Sequence, residues 1–248
     1  MTGGVANRQR KAPGWTSWIS WVFWILALAG LVYLAGLTVW LGVSGLLFPY
    51  QLDYGEGVML HSVKEWSQGR AIYRTGYSYP YITFNYAPLT SVLALVLTPL
   101  LGITYAAGRI WTLLGVLGTA ALMVAWIRRE SGRWLPAAAA ALLFVGSPYV
   151  YHWAPLFRVD LVGLALTLGG LYAVYLAASP PAQDGGGLRV ADGGPVRQRT
   201  RDTTSTQRWL IGLAVLLFVA ALFAKQSFFF APAAALAYLF FFVDRRLA

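Results

Sequence analysis

The chain contains no cysteine and very little charge. Among 248 residues, Asp and Glu together number 9, Lys and Arg 19, and His 2. Without cysteine there is neither a disulfide nor a thiolate metal site, and the redox compartment stays open. Two isolated histidines, His61 and His152, with no ligand cluster beside them, argue against a zinc centre. Charged residues make up 11% of the chain, whereas a soluble domain carries about 25%. What is abundant is apolar: 58% hydrophobic residues, 11 Trp, 14 Tyr and a mean hydropathy of +0.59. Trp and Tyr collect where a bilayer meets water. This is the composition of an integral membrane protein. The net charge of +10 does not make nucleic acid a partner, because the cations fall mostly in loops between apolar runs, where they set membrane orientation.

A spanning helix needs about 20 mainly apolar residues. Runs of this kind cover 19–44, 108–127, 135–153, 161–178, 209–224 and 227–243. The first is too long for a signal-peptide core and lacks a small-residue cleavage site, so it reads as a retained anchor. The stretch 87–103 is shorter and holds Pro88 and Pro99 near its ends. Charge decides its role. With six spans and a cytoplasmic N-terminus, thirteen of the 19 Lys and Arg lie inside and six outside; a span at 87–103 inverts that ratio. The positive-inside rule selects the first arrangement. The expected architecture is therefore all-α, a single membrane domain over 1–248 in the cytoplasmic (inner) membrane. Residues 45–107 form a large first extracytoplasmic loop, with 87–103 as a juxtamembrane or re-entrant helix. Segment 179–208, rich in Pro, Gly and Arg, reads as a flexible cytoplasmic linker whose five arginines suit a lipid surface. The Ala-rich stretches 137–143 and 231–237 permit close helix approach.

The polar island Asp53-Tyr54-Gly55-Glu56 follows the first span abruptly. Charge beside a membrane is costly and usually has a task. Behind it, Met59, Val63 and Trp66 recur at helical spacing, which predicts an amphipathic interfacial helix over 56–69 that stops at Gly69. Asp53 and Glu56 then fit a capping box, a purely local device. They equally fit a reaction site, since a carboxylate can cap a helix and face a substrate. Residues 73–86 hold five tyrosines, Tyr86 among them, whose flat faces and hydroxyls suit sugar rings or the bilayer edge. Arg70, Arg74 and Arg109 are cations suited to phosphate on the same side. The second outer loop adds Arg158 and Asp160, which can also simply pair with each other, and Lys225 closes the fifth span. Together these segments set a potential general base beside cations able to stabilise charge on a phosphate leaving group.

The order of these motifs resembles a known family. It runs from Asp53-x-x-Glu56 to Gly69-Arg70-Ala71-Ile72-Tyr73-Arg74, then Asn85-Tyr86-Ala87-Pro88-Leu89, Gly108-Arg109, Arg158-Val159-Asp160-Leu161 and Ala224-Lys225-Gln226. It is similar to the GT-C superfamily of polyprenyl-phosphate-sugar-dependent glycosyltransferases. The nearest branch is that of bacterial protein-mannosyltransferase-like (family 39) and aminoarabinose-transferase-like enzymes. The resemblance implies a membrane glycosyltransferase that moves a sugar from a polyprenyl-phosphate donor to an extracytoplasmic lipid or glycan acceptor. It makes Asp53 and Glu56 the catalytic carboxylates. It assigns Arg74, Tyr86, Arg109, Arg158, Asp160 and Lys225 to the donor phosphate and substrate. No cofactor is required by it, and a divalent cation is left open. Two departures stand out: Tyr86-Ala87 replaces a Lys-Pro of relatives, and those relatives are longer. The chain is thus expected to be an N-terminal portion, completed by a missing C-terminal half or a partner subunit within the membrane lipids. The alternatives are a non-catalytic membrane or assembly subunit and a small transporter.

Overall fold

The computed structural model describes residues 14–73, 84–179 and 202–243, with the side chains of 14–17 and 202–204 outside that description. All regular structure among the described residues is helical. In chain order the helices are α1 (Gly14–Leu47), α2 (Tyr54–Ser67), α3 (Leu89–Leu101), α4 (Tyr105–Ser131), α5 (Trp134–Val145), α6 (Pro148–Trp153), α7 (Asp160–Ala178), α8 (Asp202–Ala224) and α9 (Phe230–Tyr238). A 3₁₀ turn, Gln226–Phe229, precedes α9, and a π-helical segment, Leu239–Val243, follows it. Five stretches among the described residues are long and apolar enough to cross a membrane: Trp18–Leu47, Tyr105–Ser131, Asp160–Ala178, Ser205–Ala224 and Gln226–Val243. The chain is an all-α, multi-pass membrane protein.

One expected span takes a different form. Residues 135–153 do not make a continuous helix; α5 ends at Val145 and α6 starts at Pro148. The break has a local cause. Proline disfavours helical geometry in the residue before it. Ser147 accordingly sits at φ −68°, ψ 145°, and its hydroxyl caps α6 by accepting from the Val150 N–H. At 12 residues α5 is about 18 Å long, short of the ~30 Å apolar core of a bilayer. Even so, α5 and α6 together carry the chain back to the end of the bundle where α4 began, because Arg158 meets Thr112 in the first third of α4. Similarly, α3 has only 13 residues and ends at Gly102, whose φ of 70° needs glycine. The linker expected over 179–208 lies mostly outside the described residues, but its last part is corrected: α8 begins at Asp202.

Packing is uneven along α1. Its N-terminal half exposes Trp18, Trp21, Phe23 and Trp24, while Ala35, Thr38, Gly42 and Gly45 form a seam at helical spacing in its C-terminal half. Small residues set the other contacts. In α5, Ala137, Ala141 and Val145 are buried at four-residue intervals. Between α4 and α7, the missing side chain of Gly115 lets the backbone of Leu161 approach directly. Gly170 likewise admits the ring of Phe218 from α8. Close approach of this kind is how helices associate where lipid removes the hydrophobic drive between them.

The α4–α7 contact makes a paired test. A Cβ at Gly115 would lie 2.6 Å from the Leu161 carbonyl oxygen, and backbone cannot yield cheaply. A Cβ at Gly118, one turn on, meets only the Ala165 Cβ at an ordinary 3.8 Å. Gly115→Ala should therefore destabilise the detergent-solubilised protein by about 1–3 kcal/mol. Gly118→Ala should leave its melting curve unchanged or slightly raised. Equal melting temperatures for the two variants would disprove the direct backbone contact.

Candidate functional site

The deepest polar feature is the pair formed by Glu56 of α2 and Arg109 of α4, both without solvent exposure. Arg109 Nε donates to Glu56 Oε1 at 2.8 Å and its Nη2 donates to Oε2 at 2.8 Å, a bidentate fork. Its remaining N–H groups reach the carbonyls of Gly45, Phe48 and Tyr50 at 2.6 to 2.7 Å. Those carbonyls lie at and just past the C-terminus of α1, where four helix carbonyls have no intrahelical partner and the dipole is negative. Glu56 in turn accepts the Leu52 N–H at Oε2 and the Phe157 N–H at Oε1, each at 2.6 Å. A guanidinium has five N–H donors, and all five are used. The Gly108-Arg109 motif explains itself here: the Phe157 ring occupies the space a Cβ on Gly108 would need.

Beside this pair runs a partly exposed chain of charges. Asp53 caps α2, its Oδ2 accepting from the Gly55 N–H at 3.1 Å. The same Oδ2 accepts from Arg158 Nη1 at 3.1 Å, across 105 residues of sequence. Arg158 Nε stands 3.8 Å from Asp160 Oδ2, too far for a hydrogen bond, and among the described residues neither atom has a hydrogen-bond partner. Asp160 Oδ1 accepts from Lys225 Nζ at 2.6 Å. The result is an alternating row, Asp53, Arg158, Asp160, Lys225, drawn from the start of α2, the approach to and first turn of α7, and the end of α8. Asp160 at the first turn of α7 also faces the positive end of that helix.

Local sequence explains how the row is held. A side chain on Gly55 would collide with Arg158 Nη1 at 2.3 Å, so the glycine inside Asp53-Tyr54-Gly55-Glu56 clears a path for the guanidinium. The Thr112 hydroxyl accepts from the Arg158 N–H and donates to the Arg158 carbonyl, both at 3.2 Å, fixing that residue to α4. The Trp153 ring lies 4.6 Å and the Tyr86 ring 5.9 Å from the Arg158 guanidinium carbon. These aromatic faces attract the cation and restrict its plane. Tyr86 is itself placed by the Tyr73 hydroxyl, which donates to its carbonyl at 2.9 Å. Gly55, Thr112 and Trp153 are positioning residues that sequence reasoning did not single out. For Gly55 the signal was present, since it lies inside the acidic motif. For Thr112 and Trp153 nothing in their own segments marks them.

The sequence-predicted residues thus divide. Asp53, Tyr86, Arg158, Asp160 and Lys225 gather in one partly exposed cluster. Glu56 and Arg109 lie beneath it, fully buried and fully bonded to one another and to backbone. Arg74 lies outside the described residues. Arg70 is not at the cluster; it pairs with Glu65 at 2.6 Å and also bonds Gln68. The capping reading of Asp53 holds at Gly55, and the Arg158 bond adds to it. Among the described residues no group of three or more His, Asp or Glu side chains is arranged to hold a metal ion. Comparison with family models, with curated proteins and with solved structures returns no match to this chain.

Acid should expose the weight of the buried pair. Burial by itself pushes the Glu56 carboxyl up, but the Arg109 fork, the Leu52 and Phe157 N–H groups and the charge of Arg109 outweigh it. They hold the group below its ordinary 4.5. A carboxylate lowered on folding stabilises the protein above its unfolded pKa, and that contribution is lost as pH falls through the folded value. Melting temperature should therefore hold near neutrality and drop below about pH 4.5 as Glu56 protonates. Glu56→Gln should cost about 3–5 kcal/mol at pH 7, because it leaves a buried guanidinium uncompensated. The variant should also lose less than wild type between pH 5 and pH 3. An acid profile identical in both proteins would remove Glu56 from this role.

Proposed function

We propose that the chain is a membrane glycosyltransferase of the GT-C type, taking a sugar from a polyprenyl-phosphate donor to a lipid or glycan acceptor. The observation that carries this reading is the row Asp53, Arg158, Asp160, Lys225, in which a solvent-reachable carboxylate stands beside two cations at one end of the bundle. Asp53 is the base in this scheme. Both of its observed hydrogen bonds go to Oδ2, and among the described residues no donor reaches Oδ1. That leaves one carboxylate oxygen for an acceptor hydroxyl.

The step then balances as a single displacement. The acceptor oxygen attacks the anomeric carbon of the sugar, its proton passes to Asp53, and the bond from that carbon to the phosphate oxygen breaks. Polyprenyl phosphate leaves with the electron pair. Arg158 and Lys225 stabilise its charge as it develops. Tyr86 and Trp153 offer aromatic faces to the sugar. The geometry of Glu56 and Arg109 supports an architectural role for both, where the resemblance implies a catalytic carboxylate at Glu56 and a phosphate contact at Arg109, since every donor of Arg109 is already engaged. In this reading the site faces the extracytoplasmic side of the inner membrane, with α5 and α6 acting as a broken sixth crossing. The 13-to-6 division of Lys and Arg supports that orientation.

Radiolabelled polyprenyl-phosphate sugar and membrane acceptor lipids, supplied to the chain in proteoliposomes, give the direct measurement. Asp53→Asn still caps a helix but removes the anionic base. Transfer should fall by about a hundredfold or more, with the melting temperature near wild type. Undiminished transfer by Asp53→Asn would reassign the base to Asp160. If the wild-type chain transfers no sugar in any form, a non-catalytic membrane subunit is the better reading. Orientation is checked separately, on a background that contains no native cysteine. Cysteine at Ser67 should react with an impermeant thiol reagent added outside cells, and cysteine at Ser131 should not; the reverse pattern inverts the topology.

A further inference from the structure

At the opposite end of α4 from the Arg158 cluster lies a second concentration of charge that the proposed transfer does not use. Arg128 and Arg129 occupy the last turn of α4, and Arg133 stands at the N-cap of α5. Consecutive helix positions point about 100° apart, and the two arginines do find different neighbours. The Arg128 guanidinium carbon lies 3.6 Å above the Trp134 ring, and that of Arg129 lies 6.0 Å from the Tyr175 ring of α7. Tyr175 belongs to a stack, with Trp126 at 5.1 Å and Tyr172 at 6.0 Å between ring centroids. Among the described residues no carboxylate pairs with Arg128, Arg129 or Arg133, although Glu130 is exposed in the same turn.

We propose that this corner is a binding site for the phosphodiester headgroup of anionic phospholipid. A guanidinium laid over an aromatic face is held in plane while its N–H edge stays open, the geometry that bonds a phosphate bidentately. Two such groups, each over its own ring, lose little side-chain freedom when the headgroup arrives. The corner joins two apolar helices, and exposed Trp134 and Leu135 beside it suit the bilayer boundary. That location favours a lipid over a soluble phosphate, and a pocket of basic residues between membrane helices is a known means of holding anionic headgroups. Charge alone would set orientation at this position. Charge fixed over aromatic faces adds recognition.

The test uses the full chain, purified in a neutral detergent. Added phosphatidylglycerol should raise the melting temperature and remain attached in native mass spectrometry, while phosphatidylcholine and inorganic phosphate should do neither. In the double variant Arg128→Gln, Arg129→Gln the phosphatidylglycerol-induced shift and the retained lipid should fall at least twofold. Lys64→Gln, an exposed cation at the other end of the bundle, should keep both. The double variant Arg128→Lys, Arg129→Lys preserves the charge but not the planar fork, so it should fall short of wild type, and it serves also if the glutamine pair fails to fold. Full retention of the lipid response in the lysine pair reduces the site to non-specific charge and overturns the proposal. So does an equal response of wild type to phosphatidylcholine. A response to inorganic phosphate matching that to phosphatidylglycerol would transfer the site to a soluble anion and likewise overturns it.

Discussion

Everything at one end of this bundle depends on a single buried ion pair. Arg109 is fixed in α4, and from there its five donors gather the C-terminal carbonyls of α1, the turn that follows and the first helical turn of α2. Glu56 completes the assembly by accepting from the backbone ahead of α7. Two charges without solvent are expensive, and their mutual attraction offsets that cost only when all hydrogen-bonding capacity is satisfied. Here it is. The pair therefore fixes register and position for four segments of chain, and losing either member leaves the other buried and unmatched.

The partly exposed row above the pair is positioned by this arrangement. Asp53 is three residues from Glu56, so anchoring Glu56 sets the start of α2 and aims Asp53 at the approach to α7. Arg158 follows Phe157, whose N–H is held by Glu56 and whose ring fills the space over Gly108. Buried and exposed charges are thus coupled through short backbone links of one and three residues. The division of labour follows from solvation: the carboxylate sealed from water organises, and the one that water reaches has an oxygen to spare. The row is also incompletely satisfied. Arg158 Nε and Asp160 Oδ2 face each other across 3.8 Å, in contrast to the saturated pair below. Both atoms are shielded from water, so leaving them unfilled is an energetic cost to the resting protein.

Several features were legible in the sequence. The scarcity of charge and the long apolar runs determined a multi-pass, all-helical membrane protein, because no other structure satisfies its backbone in lipid so simply. Spacing in 56–69 determined the amphipathic helix, and Asp53 ahead of it determined the cap. The break at Gly146-Ser147-Pro148 was legible too, since proline restricts its predecessor, yet the apolar run hid it from a count based on hydropathy. Length and composition measure whether a segment prefers lipid; they do not measure whether it stays straight.

What only the tertiary structure decided is which charges meet. In the sequence, Glu56 and Asp53 look alike, and Arg109 and Arg158 look alike. Burial separates them, and burial is a property of neighbours up to 105 residues away. Arg158 and Asp160 do pair with each other, at 3.8 Å, but the fold gives each a closer partner, Asp53 for Arg158 and Lys225 for Asp160. Trp153 and Thr112 acquire their roles in the same way, through a return of the chain along α4 that no local pattern announces. Sequence by itself determined the solvent, the helices and the supply of charged groups, because these follow from each residue's own transfer energy and from periodicity. The pairing among those groups belongs to the tertiary structure, because a hydrogen bond is set by distance and direction in space, and chain order constrains neither across a hundred residues.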